Sequence, residues 1–175
     1  MTDATNLTPS NPNFLLPLHF AFHVKKTPNL NWYVQTINIP GVHLPPVEIQ
    51  NPFVKVPYPG DHIQYDDIMI NFKVDEGFAN WLELYNWIKK MGYPNEYAEY
   101  RSITAPTVPV GEGIKSDISL IIMNSSRIPK INIIFKDAFP VSLSSLIFDS
   151  TKQNPDPIDA SCTFRYTSYE LEVIS

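Results

Sequence analysis

From His19 to Lys25 apolar and polar side chains alternate: Phe20, Phe22 and Val24 fall on one face, His19, Ala21, His23 and Lys25 on the other. A period of two is that of a strand with one buried side. Trp32 to Ile39, rich in aromatic and β-branched residues and closed by Pro40-Gly41, predicts a second strand. Asp67 to Val74 alternates again, with Ile68, Ile70, Phe72 and Val74 opposite Asp67, Met69, Asn71 and Lys73, so one side of it faces water or a polar space. The period then changes. Phe78, Trp81, Leu82, Tyr85 and Ile88 follow the spacing of one helical stripe, which predicts a helix capped by Asp75 with that stripe as its packing face. Lys89 and Lys90 suit the negative end of the helix, and Gly92 and Pro94 stop it.

Ile118–Asn124 and Ile131–Lys136, joined by the turn-prone Asn124-Ser125-Ser126, predict a hairpin, and Ser144–Phe148 predicts another short strand. Near the end of the chain Cys162, Phe164 and Tyr166 oppose Ser161, Thr163, Arg165 and Thr167. The phase then flips to Tyr169, Leu171 and Val173, which a bulge or a change of sheet near Ser168 accounts for. Between Val42 and Asp61, Pro45, Pro46, Pro52, Pro57 and Pro59 are interleaved with Val47, Ile49, Phe53, Val54 and Val56, so strands there are confined to margins or bulges. Residues 42–61 and 93–116 read as long loops. Residues 1–17, with Phe14, Leu15 and Leu16 set among asparagines and prolines, read as an extended docking arm, and 18–175 as one domain. The fold class is mainly β, an antiparallel sandwich or barrel with one outer α-helix.

Composition narrows the function more than the fold. The 175 residues suit a single core, and 43% hydrophobic content is enough to build it. The net charge of −5, with no run of lysines and arginines, lacks the positive patch that grips nucleic acid by releasing counterions. No apolar stretch approaches the roughly 20 residues of a membrane span, and Met1 to Asn11 is polar, unlike a targeting signal. We therefore expect no membrane segment. The lone Cys162 excludes an intramolecular disulfide and a cysteine-based metal cluster.

Catalytic patterns are missing from the sequence as well. His19 and His23 share a strand face but lie roughly 13 Å apart at about 3.3 Å per residue, too far to ligate one ion. His43 and His62 flank the proline-rich excursion without cysteine or HExxH company. Asp66-Asp67 and Asp75-Glu76 start a strand and a helix, where carboxylates have structural work. No nucleophile elbow or phosphate-binding glycine loop follows a strand. We expect no enzyme, no metal and no cofactor. The aromatic share of 13%, including Trp32, Trp81 and Trp87, fits core or interface packing before ligand stacking. A sheet with a polar face and unsealed margins is hazardous unless something pairs with it, and a ring of copies abolishes margins while its inner face surrounds water.

The run Lys55-Val56-Pro57-Tyr58-Pro59-Gly60-Asp61, followed by Asp66 to Phe72 and by Phe78, Trp81 and Trp87 on a helix, resembles the tail tube proteins of contractile-tailed bacteriophages. Phe135-Lys136-Asp137-Ala138-Phe139-Pro140-Val141, Leu146 to Asp149, and Phe164-Arg165-Tyr166 agree with it, and the resemblance covers roughly residues 14–172. It implies a structural virion protein: six subunits in a ring whose inner sheets join into one β-barrel, and rings stacked into the inner tube that conducts the genome during ejection. It also implies a lumen lined by Met69, Asn71, Lys73, Ser161, Thr163, Arg165 and Thr167, and a ring-to-ring loop carrying Val47, Ile49, Phe53 and Val54. Partners implied are the sheath outside, the tape-measure protein and passing double-stranded DNA inside, and baseplate and neck proteins at the ends. The implied location is the virion tail, with assembly in the host cytoplasm. Six copies would together carry −30, a charge that repels phosphate wherever it faces inward. Two alternatives stay open: a tube-like ring at the neck or baseplate end of the tail, and, from another class, a carbohydrate- or ligand-binding β-sandwich.

Overall fold

Strand-period alternation builds most of the body, and one long strand joins its two halves. The computed structural model describes residues 14–50, 52–92, 113–151 and 156–174. In chain order these hold β1 (Phe20–Val24), a 3₁₀ turn (Leu30–Trp32), β2 (Val34–Ile37), β3 (Val42–His43), β4 (Val47–Gln50), β5 (Lys55–Tyr58), β6 (Gln64–Tyr65), β7 (Ile68–Lys73), α1 (Ala79–Gly92), β8 (Ser116–Met123), β9 (Pro129–Leu143), β10 (Asp159–Arg165) and β11 (Ser168–Val173). Seven strands form the main sheet in the order β1-β8-β9-β10-β7-β2, with β11 also on β9. Every pair is antiparallel. Among the described residues the fold is mainly β with one α-helix, as expected, and the path of strands is open rather than closed into a barrel.

β9 is the hinge of this architecture. Residues up to Ala138 pair with β8, Ile131 to Lys136 pair with β11, and Phe139 to Leu143 pair with β10. The bend falls at Asp137, which has φ 58 and donates its N–H to the Asp117 carboxylate at 3.0 Å. Bending one strand lets both halves share a single core. Phe22, Val24, Ile118, Leu120, Ile133 and Phe135 come from one half, and Ile68, Ile70, Phe72, Cys162 and Phe164 from the other. Each fully buried large side chain is worth about 1.5–3 kcal/mol of transfer free energy. The phase flip near Ser168 is a change of sheet: β10 lies on the C-terminal half of β9, and β11 on its N-terminal half.

Several boundaries differ from the expectation. The second strand starts at Val34, because Leu30–Trp32 form a 3₁₀ turn in which Leu30 points inward and Trp32 is exposed. β9 extends beyond 131–136 at both ends and passes through Pro140, where a register shift against β10 accommodates the missing N–H. Ser144–Phe148 is not a strand. Ser144 exchanges hydrogen bonds with Ser161 at 2.8 Å, and the chain then leaves the sheet.

The helix is rotated from its predicted orientation. The Asp75 carboxylate accepts the Ala79 N–H at 2.8 Å and so caps α1, as expected. The face packed on the core, however, runs through Asn80, Leu84 and Trp87, with Met91 half-buried. Of the predicted packing face, Phe78, Trp81 and Ile88 are half-buried, while Leu82 and Tyr85 are exposed. α1 carries two apolar arcs, and tertiary contacts choose between them. Asn80 donates to the Lys73 carbonyl at 2.8 Å and accepts from the Asp75 N–H at 3.3 Å. Trp87 donates from Nε1 to the Ile114 carbonyl at 2.8 Å.

The proline-rich excursion is a projecting two-stranded arm. β3 pairs with β6 at its base and β4 with β5 at its tip. Both strands of such a ribbon are margins, which is what its prolines require, and Pro57 faces Glu48. Gly60 allows the return, since a Cβ there would lie 2.2 Å from the Pro45 carbonyl oxygen. Of the arm expected at 1–17, only Phe14 to Pro17 are described, all exposed; most of the 93–116 loop also lies outside the described residues.

Candidate functional site

The polar face of the β2-β7-β10 sheet brings the expected lumen residues together. β7 and β10 run side by side, with Met69 opposite Thr163, Asn71 opposite Ser161, and Lys73 opposite Asp159. Because Ile68, Ile70, Phe72, Cys162 and Phe164 point into the core, the intervening side chains must share the outer face. Met69, Asn71 and Arg165 are exposed, and Lys73, Ser161 and Thr163 are half-buried. Thr167 lies past the end of β10, where its N–H donates to the Lys136 carbonyl at 3.0 Å.

Hydrogen bonds and ion pairs knit this face. Asn71 donates to Thr36 Oγ1 at 2.7 Å. Lys73 Nζ meets Asp159 at 2.6 Å, and Arg165 Nε meets Asp67 at 3.1 Å. Both cations on the face are therefore paired with carboxylates, which removes much of their attraction for a phosphate backbone. A shallow depression of about 410 Å³, bordered by Gln35, Thr36, Asn71 and Ser161, is lined by neutral polar groups and Asp159.

The arm holds the other expected residues. Val47 and Ile49 on β4, and Phe53 and Val54 at the tip, are all more than half exposed. An aromatic cluster anchors the arm's base to the body. Tyr65 of β6 lies 5.8 Å from Tyr166 and 5.5 Å from Tyr169, ring centre to ring centre, and Phe135 stands 5.1 Å from Tyr166. Tyr166 donates to the Asp66 carbonyl at 3.0 Å, and Tyr169 to the Pro40 carbonyl at 3.4 Å. Burial, then the neighbouring Tyr169 and Tyr65, push the Tyr166 phenol above its ordinary value. Sequence patterning missed this cluster, although tyrosines on both sides of the phase flip were its signal.

Chemistry beyond packing is sparse. Among the described residues, no group of three or more His, Cys, Asp and Glu is placed to hold a metal ion. His43 sits 3.1 Å from Asp66 and His62 2.5 Å from Asp61, both in exposed pairs. Asn31 donates to His23 Nδ1 at 3.1 Å. Burial pushes the Cys162 thiol up, which suppresses its thiolate. The Asp149 carboxyl is held below its usual value by hydrogen bonds from the Thr151 hydroxyl and N–H.

The family model described as "Phage tail tube protein" matches residues 13–172. The chain belongs to the phage tail tube protein family. A curated relative, the tail tube terminator protein of Enterobacteria phage T4, is 25% identical over 154 residues, covering 86% of this chain and 82% of the relative. Among solved structures, a chain in the sheath–tube complex of an extracellular contractile injection system in its extended state superposes with TM-score 0.61 at 17% identity, covering 99% of this chain and 100% of the other. A chain in the tube-terminating cap of the anti-feeding prophage gives TM-score 0.60 at 15% identity, covering 98% and 99%. These superpositions establish the tail tube fold for this chain. As a member of that family it is a structural protein of the phage tail tube type.

Proposed function

We propose that this tail tube protein is the subunit of a closed ring at an end of a contractile tail tube, with the β2-β7-β10 face lining the channel. One observation carries the ring: the polar-faced half-sheet has two margins without a partner strand among the described residues, and their directions are complementary. β9, β10, β7 and β2 alternate in direction, so β2 at one margin runs opposite to the C-terminal half of β9 at the other. A second copy placed head to tail would set its β2 antiparallel to that half of β9 and continue the ladder without a break. Repetition of one heterologous contact closes a ring when the rotation allows, and six copies follow from the family resemblance.

Placement at an end rather than along the tube is supported by the terminator identity of the curated relative, which aligns over most of both chains. The neutral, internally paired polar face suits a channel through which DNA passes without sticking. The exposed apolar arm suits contact with the adjoining ring, and the outer surface is left for the sheath.

Mass photometry and negative-stain imaging of the purified chain test this reading. Closed rings of one size that do not elongate are expected. Long tubes grown from the chain alone would assign it to the tube body, and compact monomers with a bound sugar would favour the ligand-binding alternative.

A further inference from the structure

We infer that α1 presents its outer apolar flank, Trp81, Tyr85 and Ile88, to the next copy of the chain, whose β2 and Trp32 lie in the trough between that flank and Val141 to Leu143; this rests on the ring reading above. The subunit's own core buries the Asn80, Leu84 and Trp87 face of α1 and takes one side of Trp81, while Tyr85 stays exposed and Ile88 half-buried. The second arc borders an open trough of about 520 Å³ whose other wall includes Val141 and Leu143. Trp81 and Tyr85 stack with ring centres 5.3 Å apart and planes 11° apart, so they form a flat wall. Trp81 Nε1 is buried and has no hydrogen-bond acceptor among the described residues, which a neighbouring backbone carbonyl would supply.

The trough runs along the margin of β9 where the ladder would continue. A neighbouring β2 laid there turns Thr36 to the polar face and Val34 and Ile37 toward α1, because within its own subunit Thr36 pairs with Asn71 while Val34 and Ile37 face Phe72 and Ile70. Direction then locates Trp32. Running antiparallel, β2 passes from Leu143 toward Phe139, so the residue that precedes it reaches the Ser144–Ser145 end of the trough. Trp81 lies toward that end, since Phe78, one turn earlier on the chain, stacks on Phe148 at 6.1 Å.

Trp32 is 87% exposed among the described residues, so it leaves a large apolar side chain uncovered. An aromatic side chain of this kind brings on the order of 200 Å² to an interface, about a quarter of the roughly 800 Å² per partner that a stable contact buries. Tyr33 and Ile39 on one side, and Leu82 and Val141 on the other, are at least 40% exposed and add to it.

The test compares wild type with Trp32→Ala, and cross-links a Trp32→Cys, Tyr85→Cys double variant with a short bismaleimide; the buried Cys162 stays silent. Truncating a central tryptophan should weaken pairwise association roughly 30-fold, with the melting temperature of the dilute subunit unchanged, and the double variant should give a ladder of linked oligomers that neither single variant gives. Wild-type rings together with unaltered Trp32→Ala rings and no ladder would overturn the inference while leaving the ring reading intact. Wild type that stays monomeric at all concentrations would overturn both. If Trp32→Ala lowers the subunit's own melting temperature, the cross-linking ladder alone decides.

Discussion

Asn80 shows how one side chain can join two elements. Fully buried, it bridges the end of β7 and the start of α1 through the Lys73 carbonyl and the Asp75 N–H. Asn80→Leu keeps the volume but orphans both backbone groups, and should cost about 1–3 kcal/mol in urea denaturation. Cys162 yields a prediction in pH. Burial raises its folded-state thiol above the ordinary value of about 8.5, so the folded chain keeps a proton that the unfolded chain releases. The stability of the neutral thiol is therefore full below about pH 8.5 and is lost as pH rises toward the folded value, by up to about 1.4 kcal/mol per unit. Urea midpoints should fall between about pH 7.5 and pH 9.5, and Cys162→Ala should shallow that decline. The same burial should keep iodoacetamide off Cys162 until the chain unfolds.

The helix is the element on which patterning and structure part company. Its period and its Asp75 cap were legible, but Phe78, Trp81, Leu82, Tyr85 and Ile88 form one apolar arc and Leu84, Trp87 and Met91 another. Spacing along a cylinder identifies arcs, not which of them a sheet will cover. Leu84→Ala should cost about 2–5 kcal/mol, whereas Leu82→Ala should stay within about 0.5–1 kcal/mol, both read from denaturation of the subunit. The arm behaves oppositely to a core element. Replacing residues 47–58 by a short glycine-serine turn removes exposed side chains and two margin strands, so the subunit's melting temperature should hold within about 2 °C. Attachment of the rings to the ends of preformed tail tubes, seen as capped tube ends in negative stain, should be lost.

Across the whole molecule the open strand path matters more than any pocket. The single chain leaves β2 and the C-terminal half of β9 without partner strands among its described residues, and exposed margins are managed by covering or pairing them. Charge belongs to the same scale. Lys73 and Arg165 are held by Asp159 and Asp67, so the polar face offers no unpaired cation among its described residues to a passing phosphate. Asn71→Arg adds one per subunit, repeated around the ring. It should create DNA binding that anisotropy detects at low salt and that fades by about 0.2 M salt, as counterion release requires. Unchanged anisotropy with rings still formed would place Asn71 away from the channel.

Alternation and spacing by themselves determined the strands Phe20–Val24 and Ile68–Lys73, the β8–β9 hairpin, the helix with its cap, and the break in phase near Ser168, though not whether that break is a bulge or a change of sheet, because each of these rests on contacts between residues close in sequence or on a period of two. The same alternation put Met69, Asn71 and Lys73 on one face and Ser161, Thr163 and Arg165 on another. That the two faces are one surface was decided only by pairing β7 with β10, about ninety residues apart in the chain. Tertiary structure likewise decided which arc of α1 is buried, that β9 bends at Asp137 to serve both halves, and that Trp32 stands outside the fold. Those outcomes depend on which distant segments compete for the same apolar surface, and a one-dimensional pattern does not record that competition.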